Sequence, residues 1–160
     1  MNIQVIGRKR NGKGEFCKAL TQHMAGATHC WTSAYLVYRM SLKLGLPEET
    51  ILSRKESYRP ALIELGNQMC DTDPGCLVSI AMFQVVTPHI IVDGVRRINE
   101  FEKVSDWFDY IVWVERPGAD DGDDNCELTA DVADAVVTNS GSLHDLNREA
   151  AHFAEWLCGE

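Results

Sequence analysis

The chain contains no apolar run that approaches the length of a membrane span, and its N-terminus lacks the basic and then apolar arrangement of a signal peptide. No two of its six cysteines form a C-x-x-C pair, and their spacings fit neither a zinc site nor a compact disulfide framework. We therefore expect a cytoplasmic protein that has no membrane partner and whose cysteines are mostly reduced thiols.

Basic residues are also scarce, because 15 Lys and Arg stand against 24 Asp and Glu and give a formal net charge of −9. None of them lies between residues 117 and 147, whereas Arg8, Lys9, Arg10 and Lys13 fall close together. The acidic balance argues against tight non-specific binding to nucleic acid, which depends on a basic surface. The local basic cluster suits a small anionic ligand, although residues 8–10 alone could equally form a solvated turn.

The basic cluster lies in a glycine-bounded loop between an apolar stretch and an amphipathic one. Residues 7–13 have the spacing G-x-x-x-x-G-K, the frame of a P-loop, in which backbone N–H groups and a lysine surround phosphate oxygens. An ordinary Gly-rich turn is the alternative, but the apolar run before it and the helical pattern after it favour a phosphate site. The usual Ser or Thr that ligates magnesium after the lysine is replaced by glycine. The candidate phosphate-binding residues are Gly7, Arg8, Asn11, Gly12, Lys13, Gly14 and Glu15.

Short apolar runs alternate with amphipathic stretches along the chain. The patterns predict strands at residues 2–6, 89–94, 109–118 and 135–139. They predict helices at residues 12–24, 31–44, 75–85 and 143–157, one that begins at residue 95, and one that contains Pro60 in its first turn. This alternation indicates one α/β domain over residues 1–160, a three-layer sandwich whose mostly parallel sheet is covered by helices. His23 and His29 have no spaced partner, so we expect surface or capping histidines.

Two further segments carry candidate chemistry. Asp93 ends an apolar run, and the carboxyl ends of parallel strands face the ligand crevice, where an aspartate can hold magnesium or accept a proton. The alternative is a turn-forming Asp-Gly pair. Lys55, Tyr58 and Arg59 fall at a helix start, where two cations and a tyrosine could hold a substrate phosphate or simply form a solvated helix end.

Several segments together resemble the phage-type deoxynucleoside monophosphate kinases, a branch of the P-loop kinases. The resemblance runs through most of the chain. It rests on residues 7–13, Lys55-x-x-Tyr58-Arg59-Pro60, Val92-Asp93-x-Val95-Arg96-x-x-Asn99-Glu100, Val114-x-Arg116-Pro117, Glu127 and Asn139-x-Gly141-Ser142-Leu143-x-Asp145-Leu146. The P-loop is generic. The motif that contains Asp93-x-Val95-Arg96-x-x-Asn99-Glu100 and the last motif, which begins at Asn139, are more specific in combination.

The resemblance implies transfer of the γ-phosphoryl group of ATP to a nucleotide, assisted by Mg²⁺. Lys13, Asp93, Arg96 and Arg116 would be catalytic, with Asp93 orienting magnesium through water and the arginines neutralising charge on the transferring group. The acceptor would be held by Lys55, Tyr58, Arg59, Arg97 and Glu127. The resemblance also implies the cytoplasm of a host cell if the protein is phage-encoded, and it leaves a homodimer open.

Three functions remain open from the sequence. The first is a kinase of free deoxynucleotides, and the second is a phage kinase that phosphorylates a hydroxymethylated base, such as 5-hydroxymethyluracil, within DNA. The third is a P-loop protein that binds a nucleotide or a partner without catalysis, which Gly14 favours because Glu15 is only a weak substitute as a metal ligand. The Gly- and Asp-rich loop around residues 117–131 is a candidate mobile lid or else a solvated acidic loop; its acidic residues are Asp120, Asp121, Asp123 and Asp124.

Overall fold

A parallel β-sheet with helices on both faces forms the centre of the computed structural model, which describes residues 1–119 and 125–159. Within these residues the strands are β1 (Asn2–Ile6), β2 (Ala27–Trp31), β3 (His89–Asp93), β4 (Tyr110–Glu115) and β5 (Ala135–Thr138). The helices are α1 (Lys13–His23), α2 (Ser33–Leu44), α3 (Glu48–Ser53), α4 (Lys55–Thr72), α5 (Cys76–Phe83), α6 (Ile98–Val104) and α7 (Leu143–Cys158). Short 3₁₀ turns occur at Ser105–Trp107 and Ala130–Val132.

The sheet has the strand order β2-β3-β1-β4-β5, and each neighbouring pair is parallel. β1 lies at the centre, where Val5 pairs with Asp93 of β3 and with Val112 of β4. Because all five strands run in the same direction, their carboxyl ends meet at one edge. That edge brings together the loop after β1, Asp93 and the start of the loops that follow β4 and β5, as the crevice rule for open parallel sheets requires.

Apolar side chains on the two faces of the sheet form two separate clusters. Ile3 and Val5 point toward α1 and α7, whereas Ile6 and Trp113 belong to the cluster on the opposite face. Central strands covered on both faces tend to be apolar throughout rather than alternating, which is why β3 and β4 contain the continuous apolar runs 90–92 and 111–114. β1 departs from this pattern, because Gln4 is buried between its apolar residues. The predicted three-layer α/β sandwich is confirmed, and it has the architecture of a P-loop NTPase-like fold.

A third cluster joins helices α2 to α5 near the carboxyl edge of the sheet. Its buried members are Leu36, Val37, Met40, Ile51, Leu62, Cys70 and Leu77. These helices therefore have a small core of their own and form one wall of the crevice beside the sheet.

The sequence prediction was right for α1 and wrong for β2. Phe16, Leu20 and Met24 are all buried on one face, as the i, i+4, i+8 spacing predicted. The segment 27–31, in contrast, is an edge strand with only Cys30 buried, and Trp31 ends this strand instead of opening a helix. Its mixture of small, polar and aromatic residues gives no apolar run, so pairing with β3 determines its structure.

Two helix starts also differ from the prediction. α4 begins at Lys55, so Pro60 lies inside the helix rather than in its first turn. The break in the hydrogen-bond ladder falls on an exposed part of the helix, where water can satisfy the carbonyl group that Pro60 leaves without a donor. α6 begins at Ile98, because residues 94–97 form a loop that starts with Gly94 at φ +112°.

The acidic part of the predicted lid, Asp120, Asp121, Asp123 and Asp124, lies outside the described residues. Over the described residues, none of the helices combines the length and the hydropathy that a membrane span demands.

Candidate active site

The loop between β1 and α1 can accept only glycine at two of its positions. Gly7 has φ +140°, and a Cβ there would collide with the carbonyl oxygen of Val114. Gly12 has φ +93°, and a Cβ would stand 2.5 Å from Nδ2 of Asn139. The two glycines therefore allow the loop to fold tightly against β4 and β5, which is the condition for backbone N–H groups to converge on a phosphate.

Lys13 is the first residue of α1 and folds back against the loop that precedes it. Its Nζ donates a 2.6 Å hydrogen bond to the carbonyl oxygen of Arg8. In the described part of the chain, no side chain caps the N-terminus of α1, whose N-cap residue is Gly12. The positive end of the helix dipole and the ammonium group of Lys13 thus act on the same space, which suits a phosphate.

Asn139 anchors the loop from the neighbouring strand end. Its Nδ2 donates to the carbonyl oxygen of Asn11 at 3.1 Å, and its backbone N–H donates to the carbonyl oxygen of Glu115 at 2.7 Å. Asn139 is 6% exposed, so these bonds have little competition from water. The sequence analysis did not place Asn139 in the site, although it begins the last motif of the resemblance.

Asp93 ends β3 and lies beside the start of α1. Its Oδ2 is 4.0 Å from the position that a Cβ on Gly14 would occupy, and 3.4 Å from Nε2 of His29. The side chain of His29 is only 13% exposed, so the expected surface histidine is in fact largely buried. His23, in contrast, is exposed, and its Nε2 lies 3.1 Å from Oδ1 of Asn147.

A magnesium ion that accompanies ATP fits the donors at this edge. The Asp93 carboxylate provides a hard oxygen within water-bridging reach of the start of α1, and Gly14 leaves open space between them. Glu15, the weaker candidate, forms a 2.8 Å ion pair with Lys18 and is half exposed on the outer side of α1. Asp93 is therefore the better placed of the two predicted metal residues.

A cavity of about 140 Å³ adjoins Gly94, the residue after Asp93. Leu36, Leu62, Leu77 and Val78 form part of its apolar wall. Four cationic side chains also line it, namely Lys55, Arg59, Arg96 and Arg97. Glu100 also lines the cavity, so an apolar wall is combined there with four positive charges and one negative charge, in a chain of net charge −9.

Hydrogen bonds fix the orientation of the two arginines that follow Gly94. The Glu100 carboxylate accepts from the backbone N–H groups of Arg96 and Arg97 at 3.2 and 3.3 Å. The Arg96 guanidinium donates to Asn125 Oδ1 at 2.9 Å, and the Arg97 guanidinium donates to Asp71 Oδ1 at 2.8 Å. The hydrogen bond to Asp71 raises the pKa of Arg97, which is charged throughout the physiological range in any case.

The remaining predicted site residues do not line this cavity. Tyr58 packs against the core of α2 to α5, and Arg116 is exposed directly after β4. Glu127 accepts a 3.0 Å hydrogen bond from the backbone N–H of Ile98 and donates its own N–H to the carbonyl oxygen of Arg96 at 2.8 Å. Glu127 thus holds the backbone beside the two arginines, and this is a contact that sequence spacing could not reveal.

The basic residues of the loop itself divide between two environments. Lys9 forms a 3.3 Å ion pair with Glu56, which connects the loop to the first turn of α4. This pair lowers the pKa of Glu56. Arg8 and Arg10 have exposed side chains at the mouth of the crevice, and Arg10 adopts φ +62°.

The fold and the loop define the class of this protein as a P-loop NTPase-like α/β protein. No family model matches the chain. A crystal structure of TT1252 from Thermus thermophilus is similar, with a TM-score of 0.56, 15% sequence identity, and coverage of 99% of this chain and 97% of that chain.

A second similar structure is shikimate kinase from Aquifex aeolicus, with a TM-score of 0.47, 13% identity, and coverage of 99% of this chain and 98% of that chain. Its TM-score is too low to bear on function. The similarity to TT1252 supports the fold alone.

Proposed function

We propose that this protein is an ATP-dependent phosphotransferase, and that its acceptor is a (deoxy)nucleoside monophosphate. The observation that carries the proposal is that the glycine-bounded loop with Lys13 lies next to a cavity lined by cationic side chains. The P-loop and Lys13 lie on one side of Asp93, and the cavity lined by four cationic side chains begins at Gly94 on the other. A donor and an acceptor phosphate could therefore meet at the carboxyl edge of the sheet.

The donor side of the site holds the phosphates of ATP. The backbone N–H groups of the loop and the N-terminus of α1 bind phosphate oxygens, while Lys13 leaves the carbonyl of Arg8 to reach the outer phosphates. Magnesium, when bound with ATP, supplies charge neutralisation and holds the phosphate oxygens in place. Asp93 is the residue that would orient it through water.

The acceptor side selects an anion attached to an apolar, flat group. Lys55 and Arg59 come from α4, and Arg96 and Arg97 come from the loop after β3, so cations approach the cavity from two walls. The leucine side chains between them offer contact to a base. A monophosphate nucleotide has both parts, which is why we favour it over a neutral acceptor.

The reaction is a single phosphoryl transfer. An oxygen of the acceptor phosphate forms a bond to the γ-phosphorus of ATP, the bond from that phosphorus to the β–γ bridging oxygen breaks, and ADP leaves. Lys13 and Arg96 stabilise charge on the transferring group, and Arg116 is placed on the same edge of the sheet to assist. Such a reaction needs alignment and charge stabilisation rather than covalent catalysis by the protein.

The proposal is tested by following the label from γ-labelled ATP. The protein is incubated with Mg²⁺ and each deoxynucleoside monophosphate, and in parallel with DNA that contains 5-hydroxymethyluracil. We expect the label on one or more mononucleotides. Label on DNA instead would move the function to base modification, and binding of ATP without transfer to either acceptor would leave a non-catalytic P-loop protein.

The role of the P-loop lysine is tested with Lys13→Ala, and Lys18→Ala is the matched control. Each variant removes one lysine from α1. Loss of the Lys13 ammonium should reduce turnover by about 10²-fold or more, because it removes a charge aimed at the transferring phosphates. Lys18 pairs with Glu15 on the outer face of α1, and its removal should leave turnover unchanged. Equal activity of the two variants, with both folded by circular dichroism, would exclude the P-loop from the reaction.

A further inference from the structure

Three side chains that are distant in the sequence converge behind the P-loop. Cys17 lies on α1, His29 on β2 and Asp93 at the end of β3, and one potential ligand atom from each lies within 4.8 Å of the other two. His29 Nε2 and Asp93 Oδ2 are 3.4 Å apart. The group thus offers one sulfur, one nitrogen and one oxygen ligand at the base of the candidate active site.

The environment of His29 leaves one of its ring nitrogens unsatisfied. Nε2 is buried and finds no hydrogen-bond partner among residues 1–119 and 125–159, since its contact with Asp93 lacks hydrogen-bond geometry. A buried polar atom without a partner is unfavourable, and coordination of a cation would remove that penalty. The ring also packs against Trp31, with centroids 5.7 Å apart, so its position does not depend on a ligand.

Cys17 has no exposed surface and belongs to the core between the sheet and α1. Burial, and then the negative charge of Asp93, raise the pKa of its thiol. A cysteine binds a metal as thiolate, so a cation at this position needs a high affinity for sulfur to displace the thiol proton.

We propose that Cys17, His29 and Asp93 form a binding site for one thiophilic divalent cation of the Zn²⁺ class. Zn²⁺ accepts this combination of sulfur, imidazole and carboxylate ligands, whereas Mg²⁺ strongly prefers oxygen. Metal–ligand distances of about 2.0–2.3 Å place two tetrahedral ligands roughly 3.3–3.8 Å apart. The His29–Asp93 separation of 3.4 Å already falls in that range. The Cys17 sulfur lies within 4.8 Å of both atoms, so it would have to approach them by about 1 Å. Three protein ligands leave a fourth position for water or a phosphate oxygen.

When Zn²⁺ binds, the S–H bond of Cys17 breaks and a zinc–thiolate bond forms. The proton is released to solvent. His29 would bind the cation as neutral imidazole and Asp93 as carboxylate. The His29 and Asp93 side chains retain 13% and 14% exposure, so the site is not sealed from solvent.

The functional consequence rests on the proposed function and concerns Asp93. A second cation bound to the Asp93 carboxylate would neutralise the negative charge with which Asp93 attracts the magnesium of ATP. We therefore infer that a bound thiophilic cation inhibits phosphoryl transfer and that added Mg²⁺–ATP opposes the inhibition.

Binding is tested independently of activity with Co²⁺ as the probe. Titration of the full chain should produce a thiolate-to-cobalt charge-transfer band that saturates at one equivalent, with Zn²⁺ displacing the Co²⁺. The band should vanish in Cys17→Ser, and affinity should fall at least tenfold in His29→Gln. The controls Cys158→Ser and His23→Gln change an exposed cysteine and an exposed histidine, and they should bind like the wild type. A band that survives Cys17→Ser, or the lack of any band in the wild type, would overturn the proposal.

Inhibition is tested by adding Zn²⁺ to the transferase assay at several Mg²⁺ concentrations. The wild type should lose activity and regain it with a chelator, whereas Cys17→Ala and His29→Gln should resist at least tenfold more Zn²⁺. Replacement of the buried Cys17 could disturb folding, so His29→Gln tests the same site without a change in the core. Equal sensitivity of wild type and both variants would overturn the regulatory role, and because the cobalt band does not require turnover, a protein without kinase activity would still test the site.

Discussion

The carboxylate of Asp93 lies 4.0 Å from the point where a side chain on Gly14 would begin. In the usual P-loop a Ser or Thr side chain begins at that point, and its hydroxyl ligates magnesium. Gly14 and Asp93 thus face each other across the space in which the missing ligand would act. Gly14 does not have a positive φ, so the backbone at this position could accept a side chain.

Gly14→Ser should restore a metal ligand, and Gly14→Ala serves as its matched control. Both variants should stabilise the protein by roughly 0.5–1 kcal/mol, because glycine is a poor helix residue and this one is in the first turn of α1. Only the serine variant should lower the Mg²⁺ concentration needed for half-maximal turnover. Identical magnesium dependence in the two variants would show that the hydroxyl has no role here.

Gly7→Ala should destabilise the protein far more than Gly45→Ala. Both glycines have positive φ, but no atom of the described residues lies within 4 Å of a Cβ on Gly45, whereas one on Gly7 collides with the Val114 carbonyl. The conformational penalty at Gly45, which is in the left-handed helical region, is about 1–2 kcal/mol. Gly7, at φ +140°, lies outside that region, and the collision adds to its penalty. Urea unfolding measures the difference, and equal losses would contradict the close packing of the loop against β4.

Asn139→Ala should weaken ATP binding and stability together. The variant removes the donor to the Asn11 carbonyl and leaves a buried acceptor without its partner, at a cost of about 1–3 kcal/mol. Thr138→Ala, one residue earlier, removes an exposed hydrogen bond to Glu115 and is the control. Calorimetric titration with ATP should separate them, and unchanged ATP affinity in Asn139→Ala would mean that the loop holds its shape without this anchor.

The N-terminus of α7 should give a pH-dependent contribution to stability. The hydrogen bond from the Ser142 hydroxyl, followed by its backbone N–H, lowers the pKa of Asp145. A carboxyl with a lowered pKa in the folded state stabilises above its unfolded pKa, about 3.9, and loses that effect as the pH falls through the lowered value.

Asp145→Asn should therefore reduce the melting temperature at neutral pH and converge with the wild type in strong acid. In a Ser142→Ala background the pH dependence of the difference should shrink, because the main cause of the shift is gone. A difference that stays constant down to pH 2 would contradict this account.

Local patterns were enough to predict α1 and the covered parallel sheet. Phe16, Leu20 and Met24 carry a clear helical period, and the apolar runs of the central strands are typical of a sheet buried on both faces. β2 was missed because an edge strand with one buried residue depends on its partner strand rather than on its own composition.

The sequence could indicate a residue of the candidate site only where a local pattern marked that residue. Asp93 could be singled out because it ends an apolar run, and Lys13 because of its glycine spacing. His29 was not, because it meets Asp93 only through the pairing of β2 with β3. The ion pair of Arg97 with Asp71 and the backbone contacts of Glu127 likewise join segments that no periodicity connects.

The central place of β1 also determines when a growing chain can acquire its binding site. Asn2 pairs with Ile90 and Ile3 pairs with Tyr110, so β1 has to wait for two neighbours that are synthesised much later. Pairing between such distant segments is slow, and the exposed edges of an unpaired apolar strand invite aggregation in the meantime. Any fragment that stops before β4 would leave the loop at Gly7 without the strand against which it packs.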